Sequence, residues 1–283
     1  MKVVLFCGGH GIKLQEYSEK IPKSLVPVGN RPMVWHVMKY YAHYGHKDFI
    51  LCLGLKGDTI KDYFIKYKEY VSNDFVLKAG SKIDLFERDI HDWNITFADT
   101  GLYSNIAERL LAVRKYLKDE ERFLANYSDG LTDLHLPDMI AEFEKSDRVG
   151  MLMVTKPRKN FHVASIDEER TSRIANVTSV NKLDGLWLNA GYYIFSKEIF
   201  QHIDPEGDLP DLTFPRLVAL NQLAAYPYDG MFITMDTFKE KQTLDDMHDR
   251  GDTPWQVWKD GGRTPPQEVD RSDTLDQLNY SAR

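Results

Sequence analysis

The chain has 283 residues, enough for one large core or two modest ones. Apolar residues at 42% and charged residues at 28% are ordinary for a soluble globular protein, and no apolar run approaches the roughly eighteen residues of a membrane span. A net charge of −7 speaks against a non-specific nucleic-acid binder, although a local cluster of lysines and backbone amides can still hold an anionic small molecule.

The N-terminal run Met1 to Cys7 is too short, and too soon followed by glycine, for a signal peptide; it reads as a buried strand over 2–7. Cys7 and Cys52 both sit in apolar runs and read as buried thiols of a reducing cytoplasm rather than a disulfide. A polar loop over 8–30 follows, long for a compact α/β unit, and loops of that length are often functional. Asn30 and Pro32 open a helix with Val34, Val37, Met38 and Tyr41 at spacings of three and four. A second buried strand is predicted over 49–53 and a second helix over 59–70. A strand over 94–98, a helix over 104–117 and a strand over 123–127 come next, the last halted by Ser128-Asp129-Gly130. This alternation predicts a mostly parallel central sheet with helices on both faces.

Beyond Val149 strands come closer together, over 151–155, 163–167, 174–180 and 188–195. Helices are predicted over 196–203, 212–221 and 237–250, with a short strand over 231–235. We therefore divide the chain into an α/β portion over 1–150, a smaller β-rich portion of the same domain over 151–260, and a Pro-, Gly- and Asp-containing tail over 261–283 that reads as flexible.

Gly8-Gly9-His10-Gly11-Ile12-Lys13 leaves the end of the first strand, where ligands of open α/β sheets bind, and glycines let backbone amides approach a phosphate. It is not a dinucleotide fingerprint, because position 14 is Leu14, and it lacks the Gly-Lys-Ser/Thr of a P-loop. Alone, the segment fits a phosphate-binding loop or a plain tight turn.

Joined to Pro22-Lys23-Ser24-Leu25 and Arg31-Pro32, the loop resembles the N-terminal signature of the nucleotidyltransferases that make nucleotide-activated sugars. Trp35-His36, Asp99-Thr100-Gly101-Leu102, Asp229-Gly230-Met231-Phe232, Met235-Asp236-Thr237 and Pro254-Trp255-Gln256-Val257-Trp258 are similar to its glucose-1-phosphate cytidylyltransferase members, so the likeness spans roughly residues 1 to 260. It implies a Rossmann-like nucleotidyltransferase fold, a nucleoside triphosphate with CTP favoured, a phosphate monoester acceptor, Mg²⁺, a cytoplasmic setting, a homo-oligomer, and neither nucleic acid nor membrane as partner.

The reaction so implied joins an acceptor phosphate to the α-phosphorus of the triphosphate and expels pyrophosphate. The attacking phosphate is already anionic, so such chemistry rests on positioning and charge neutralisation, through a hard cation with oxygen ligands and through basic side chains. The resemblance assigns Asp129 and Asp236 to the metal; on residue type alone the first would equally be a turn aspartate and the second a helix cap. It assigns Lys13 and Lys23 to the phosphates, and Gly8, Gly9, Gly11, Thr100, Ser104 and Arg109 to the nucleotide. A plain surface role for Arg109 stands beside that assignment. Lys182, Asn189 and Gly191 match acceptor-binding positions, and Asn181 and His162 stand where the acceptor lies.

The chain departs from the family pattern at several points. Lys13 replaces an arginine, keeping charge but losing bidentate geometry; Ile12 replaces a threonine. Asn181-Lys182-Leu183 replaces Glu-Lys-Pro, His162 stands for a sugar-facing glycine, and Ala107-Glu108 for a glycine pair. An amide at 181 removes a strong acceptor for sugar hydroxyls. The departures cluster on the acceptor side and point to an acceptor other than plain glucose 1-phosphate. A catalytically impaired regulatory or assembly subunit is the alternative; a glycosyltransferase, which wants Asp-x-Asp where Ser128-Asp129-Gly130 stands, ranks behind it.

Overall fold

Val3 and Leu5 face one side of the first strand and Val4 and Phe6 the other, and all four are buried. A strand apolar on both faces must be covered on both. The computed structural model, describing residues 1–8, 21–157, 162–167 and 170–259, shows how. In chain order the strands are β1 (Val3–Phe6), β2 (Pro27–Val28), β3 (Arg31–Pro32), β4 (Asp48–Leu53), β5 (Phe75–Lys78), β6 (Lys82–Leu85), β7 (Asn94–Asp99), β8 (Arg122–Asn126), β9 (Gly130–Thr132), β10 (Gly150–Thr155), β11 (His162–Asp167), β12 (Arg170–Ser179), β13 (Leu188–Ser196), β14 (Leu223–Tyr228) and β15 (Phe232–Thr234). The α-helices are α1 (Met33–His43), α2 (Gly57–Ile65), α3 (Ile106–Val113), α4 (Leu136–Ser146), α5 (Phe214–Ala219) and α6 (Phe238–Asp249).

Seven strands form one sheet in the order β14-β10-β13-β8-β1-β4-β7. All neighbours are parallel except β13, which runs antiparallel to both β10 and β8. Residues from α1, α2, α4 and α6 pack with Val3, Leu5, Leu51 and Ile194 on one face. Residues from α3 and α5 pack with Val4, Phe6, Ile50 and Phe195 on the other. Tyr40, Tyr41 and Trp255 belong to the packing on the first of these faces. Both thiols are free and buried, and burial pushes that of Cys7 up to about 12.

Several elements differ from the sequence expectation. The second helix stops at Ile65 rather than 70, and a single 3₁₀ turn follows at Glu69–Val71. The helix expected over 104–117 starts at Ile106, because Asn105 and Glu108 form a capping box, and its end tightens into a 3₁₀ turn at Arg114–Tyr116. The stretch expected as a helix over 196–203 is a 3₁₀ turn at Lys197–Gln201, and that expected over 212–221 is a π turn at Leu209–Thr213 running into α5. The hairpin β5–β6, α4 and the edge strand β14 were not anticipated. No described helix is long and apolar enough to cross a membrane.

Beside α1 lies a buried ionic cluster. Asp89 accepts hydrogen bonds from Lys39 Nζ at 2.9 Å, Ser72 Oγ at 2.5 Å and Tyr67 Oη at 2.9 Å. The Arg31 guanidinium lies 3.6 Å from the same carboxylate and stacks on Tyr67, 4.1 Å from its ring centre. Burial alone would raise the Asp89 pKa, but the Ser72 and Lys39 contacts outweigh it and hold the carboxyl below its ordinary value.

Candidate active site

The carboxyl ends of β1, β4, β7, β8 and β10 lie along one edge of the sheet, the edge at which open α/β sheets bind ligands. β8 ends at Asn126, so Asp129 does not terminate that strand; it sits in a turn two residues past Tyr127, just before β9. β9 pairs antiparallel with β15, Gly130 opposite Thr234, and Met235 N donates to Asp129 O at 2.9 Å. That pairing carries Asp236 to the side of Asp129, although they are far apart in sequence. Thr237 then caps α6 through a capping box with Glu240, so Asp236 stands just ahead of the cap rather than being the cap itself.

Lys23 closes the group. Its Nζ donates to Asp129 Oδ2 at 2.6 Å and to Asp236 Oδ1 at 2.7 Å. It lies in a 3₁₀ turn, Lys23–Leu25, held by Leu25 N to Pro22 O and packed against α1. Burial would lower the Lys23 pKa, and the two carboxylates overcome this and raise it above its ordinary 10.5. Burial likewise raises the Asp129 carboxyl above its ordinary 3.8, against the pull of Lys23. The ammonium marks a point where oxygens of two carboxylates converge on a cation. Mg²⁺ is commonly held by one or two carboxylates together with substrate phosphates, so this donor set fits it; no group of three or more His, Cys, Asp or Glu ligands exists among the described residues.

A second cation lies under the same edge. Arg109, on α3, is 1% exposed, which overturns a surface role. Its Nη1 donates to Leu53 O at 3.1 Å and to Thr100 Oγ1 at 2.7 Å, and its Nε, buried, has no partner. No carboxylate lies within ion-pair distance of it among the described residues. Burial lowers its pKa. The guanidinium lies against Gly8 at the exit of β1, where an added Cβ would stand 2.4 Å from Nη1. A side chain at position 8 would displace the guanidinium from this place. Thr100 Oγ1 also donates to Leu53 O at 2.8 Å, and Ser104 Oγ to Thr100 O at 2.6 Å. These two hydroxyls therefore fix the loop and the guanidinium. Gly9, Gly11 and Lys13, the rest of the expected phosphate-binding loop, lie outside the described residues.

On the other flank, β13 starts at the same edge. Asn189 Nδ2 donates to Tyr193 Oη at 2.7 Å, and Asn189 Oδ1 accepts from Gly191 N at 2.9 Å. Gly191 has φ +74° and packs against Tyr127, 2.4 Å from where a Cβ would be. Asn189 and Gly191 thereby come together beside Tyr127, near the turn that holds Asp129. Lys182 and Asn181 lie in an exposed 3₁₀ turn, Val180–Lys182, and His162 is exposed at the start of β11, opposite Ser179. Lys156 Nζ, one residue past β10, sits 4.4 Å from the centre of the Trp187 ring at the same edge. Sequence reasoning missed Tyr127, Ser128 and this pair; only the interruption at Ser128-Asp129-Gly130 hinted at them.

Two convergent carboxylates, an ammonium and a buried guanidinium along the carboxyl edge of a mostly parallel sheet define an α/β protein equipped for polyanionic ligands. Comparison with known proteins gives the family. The family model described as nucleotidyl transferase matches residues 2–262. The chain is 32% identical to glucose-1-phosphate cytidylyltransferase of Salmonella typhimurium, over 92% of this chain and 100% of that protein. It is 31% identical to the probable glucose-1-phosphate cytidylyltransferase of Bacillus subtilis, over 91% and 100%. Among solved structures it resembles a UDP-glucose pyrophosphorylase complexed with UDP-glucose, with a TM-score of 0.64 and 13% identity over 88% and 98% of the two chains. It also resembles a putative glucose-1-phosphate thymidylyltransferase from Bacillus anthracis, with a TM-score of 0.63 and 16% identity over 87% and 94%. These structural likenesses speak for the Rossmann-like fold. The chain belongs to the nucleotidyl transferase family and is an enzyme of that class.

Proposed function

We propose that the enzyme couples a nucleoside triphosphate, with CTP favoured, to a sugar 1-phosphate or a similar phosphate monoester and releases pyrophosphate. The observation that carries this is the Lys23 ammonium held between Asp129 and Asp236. An oxygen of the acceptor phosphate attacks the α-phosphorus, and the bond to the β-phosphate oxygen breaks, so pyrophosphate leaves with the electron pair. No proton need move, because the acceptor is already an anion.

The chain's own residues supply position and charge. Lys23, charged across the physiological range because its pKa is raised, neutralises the phosphates between which the new bond forms. Arg109 offers the nucleotide side a cation that no carboxylate among the described residues has already claimed. Lys13 and the amides after Gly8 complete the phosphate cradle in this reading. Asp129 and Asp236 would hold Mg²⁺, which when bound adds charge stabilisation across the phosphates. Asn189, Gly191 and Lys182 face the acceptor, and Asn181 and His162 bias it away from plain glucose 1-phosphate. The working unit is a homo-oligomer in the cytoplasm.

The test is a matrix of the four nucleoside triphosphates against a panel of phosphate monoesters, scored by pyrophosphate release, with Asp129→Ala as control. We expect CTP with a sugar 1-phosphate other than glucose 1-phosphate to give the highest rate. Release from no pair, or release that Asp129→Ala leaves intact, refutes the reading. Full activity on glucose 1-phosphate removes the altered-acceptor part alone.

A further inference from the structure

We propose that Ser128 is a positioning residue that fixes the Asp129 carboxylate against the strand leading into the glycine-rich loop; this rests on the reading of Asp129 as a metal-holding group. The backbone ladder between β1 and β8 ends at the pair Leu5 and Asn126. The next carbonyl of β1, that of Phe6, is taken instead by Ser128 Oγ, which donates to it at 2.9 Å. A side chain thus extends the junction past the last rung, up to the residue before Cys7 and Gly8. Ser128 N donates in turn to Asn126 Oδ1 at 2.6 Å, folding the chain back on the end of its own strand.

The turn is held in a conformation that serine does not favour. Ser128 has φ +59°, in the left-handed region, and is 2% exposed. Such a backbone persists only where its surroundings impose it, and here the two hydrogen bonds do so. The next residue is Asp129, whose carbonyl receives Met235 N and so carries Asp236 with it. Ser128 therefore joins three parts of the site: the exit of β1, the Asp129 carboxylate and the strand that presents Asp236. Without the hydroxyl, the Phe6 carbonyl loses its partner and the turn is free to rotate Asp129 away from the point that Lys23 marks.

Two variants separate tether from strain. Ser128→Ala removes the hydroxyl and keeps the unfavourable φ; Ser128→Gly removes the hydroxyl and relieves the φ. Binding of Mn²⁺, read from the electron paramagnetic resonance signal of the free ion, is measured with kcat and KM for CTP. We expect both variants to weaken Mn²⁺ binding and lower kcat on the order of tenfold, with KM for CTP within about twofold of wild type. Should Ser128→Ala fail to fold, Ser128→Gly carries the test, since it removes the same tether without strain. Wild-type Mn²⁺ binding and kcat in Ser128→Gly overturn the proposal. Asp129→Ala separates the two levels: if it loses Mn²⁺ while the Ser128 variants keep it, the tether alone is refuted. If Asp129→Ala binds Mn²⁺ like wild type, the metal role of Asp129 falls, and the tether with it.

Discussion

Lys23 Nζ and Asp129 Oδ2 lie 2.6 Å apart although 106 residues separate them, and the same ammonium reaches Asp236 at 2.7 Å. The ammonium occupies the point where the carboxylates converge, so a divalent ion held there, as proposed above, would compete with Lys23 for it. Adding Mg²⁺ should then move Lys23 out toward the phosphates, and Lys23→Met should lower kcat/KM for pyrophosphate release on the order of 100-fold. Retention of wild-type kcat/KM in Lys23→Met would remove Lys23 from the reaction.

The sign of the pH effect follows from the same pair. The Lys23 pKa is higher in the folded protein than its ordinary 10.5. Its contribution to stability is therefore fully present below pH 10.5 and disappears as pH rises through the folded value. Melting temperatures of wild type and Lys23→Met should differ at pH 8 and converge above pH 10.5. A gap that stays constant would show that the ammonium contributes no charge-dependent stability.

Arg109 predicts a trade between stability and binding. A buried guanidinium without a carboxylate is unfavourable in the free protein, and burial lowers its pKa accordingly. Arg109→Met should keep or raise the melting temperature while raising KM for the triphosphate about tenfold or more. A fall in stability with unchanged KM would make Arg109 a structural residue.

The Asp89 cluster should behave in the opposite way. Asp89→Ala leaves Arg31 and Lys39 buried beside each other and should cost about 3 kcal/mol, measured by denaturant unfolding. Because the folded pKa of Asp89 is depressed, its contribution is present above its ordinary 3.8 and is lost as pH falls below that value. Under conditions where the variant remains folded, kcat should stay within about twofold of wild type.

Much of the architecture was legible in the sequence because burial imposes periodicity. Val34, Val37, Met38 and Tyr41 mark α1, and the apolar run through Leu53 marks β4, since both must be covered. The hairpin β5–β6 escaped because Phe75, Val76 and Leu77 are exposed, so alternation says nothing about them. Leu223–Tyr228 escaped because Pro227 reads against a strand; β14 tolerates it by lying at the sheet edge. At the site, residue type and family likeness singled out Lys23, Asp129 and Asp236, whereas their convergence depends on the pairing of β9 with β15. Arg109 was legible as a candidate but not as a buried one, because an arginine in mid-helix ordinarily faces water. The letters at 126–129 do not announce a left-handed serine, because one of the two hydrogen bonds at that turn comes from Ser128 Oγ to Phe6 O, far away in the chain.

The antiparallel strand β13 also bears on how the molecule is made. Residues 188–196 fill the gap between β8 and β10, so until the ribosome has released them the edge of β8 has no neighbour there. A nascent chain that has already assembled β8, β1, β4 and β7 exposes an open hydrogen-bonding edge on β8 while residues 127–196 are synthesised. Closing that edge brings Asn189 and Gly191 to the turn that holds Asp129. The joining of the two parts of the sheet and the delivery of Asn189 and Gly191 are therefore one event, which precedes the arrival of β14 and Asp236, and a chain stopped before residue 188 would be both inactive and prone to pair with its own copies.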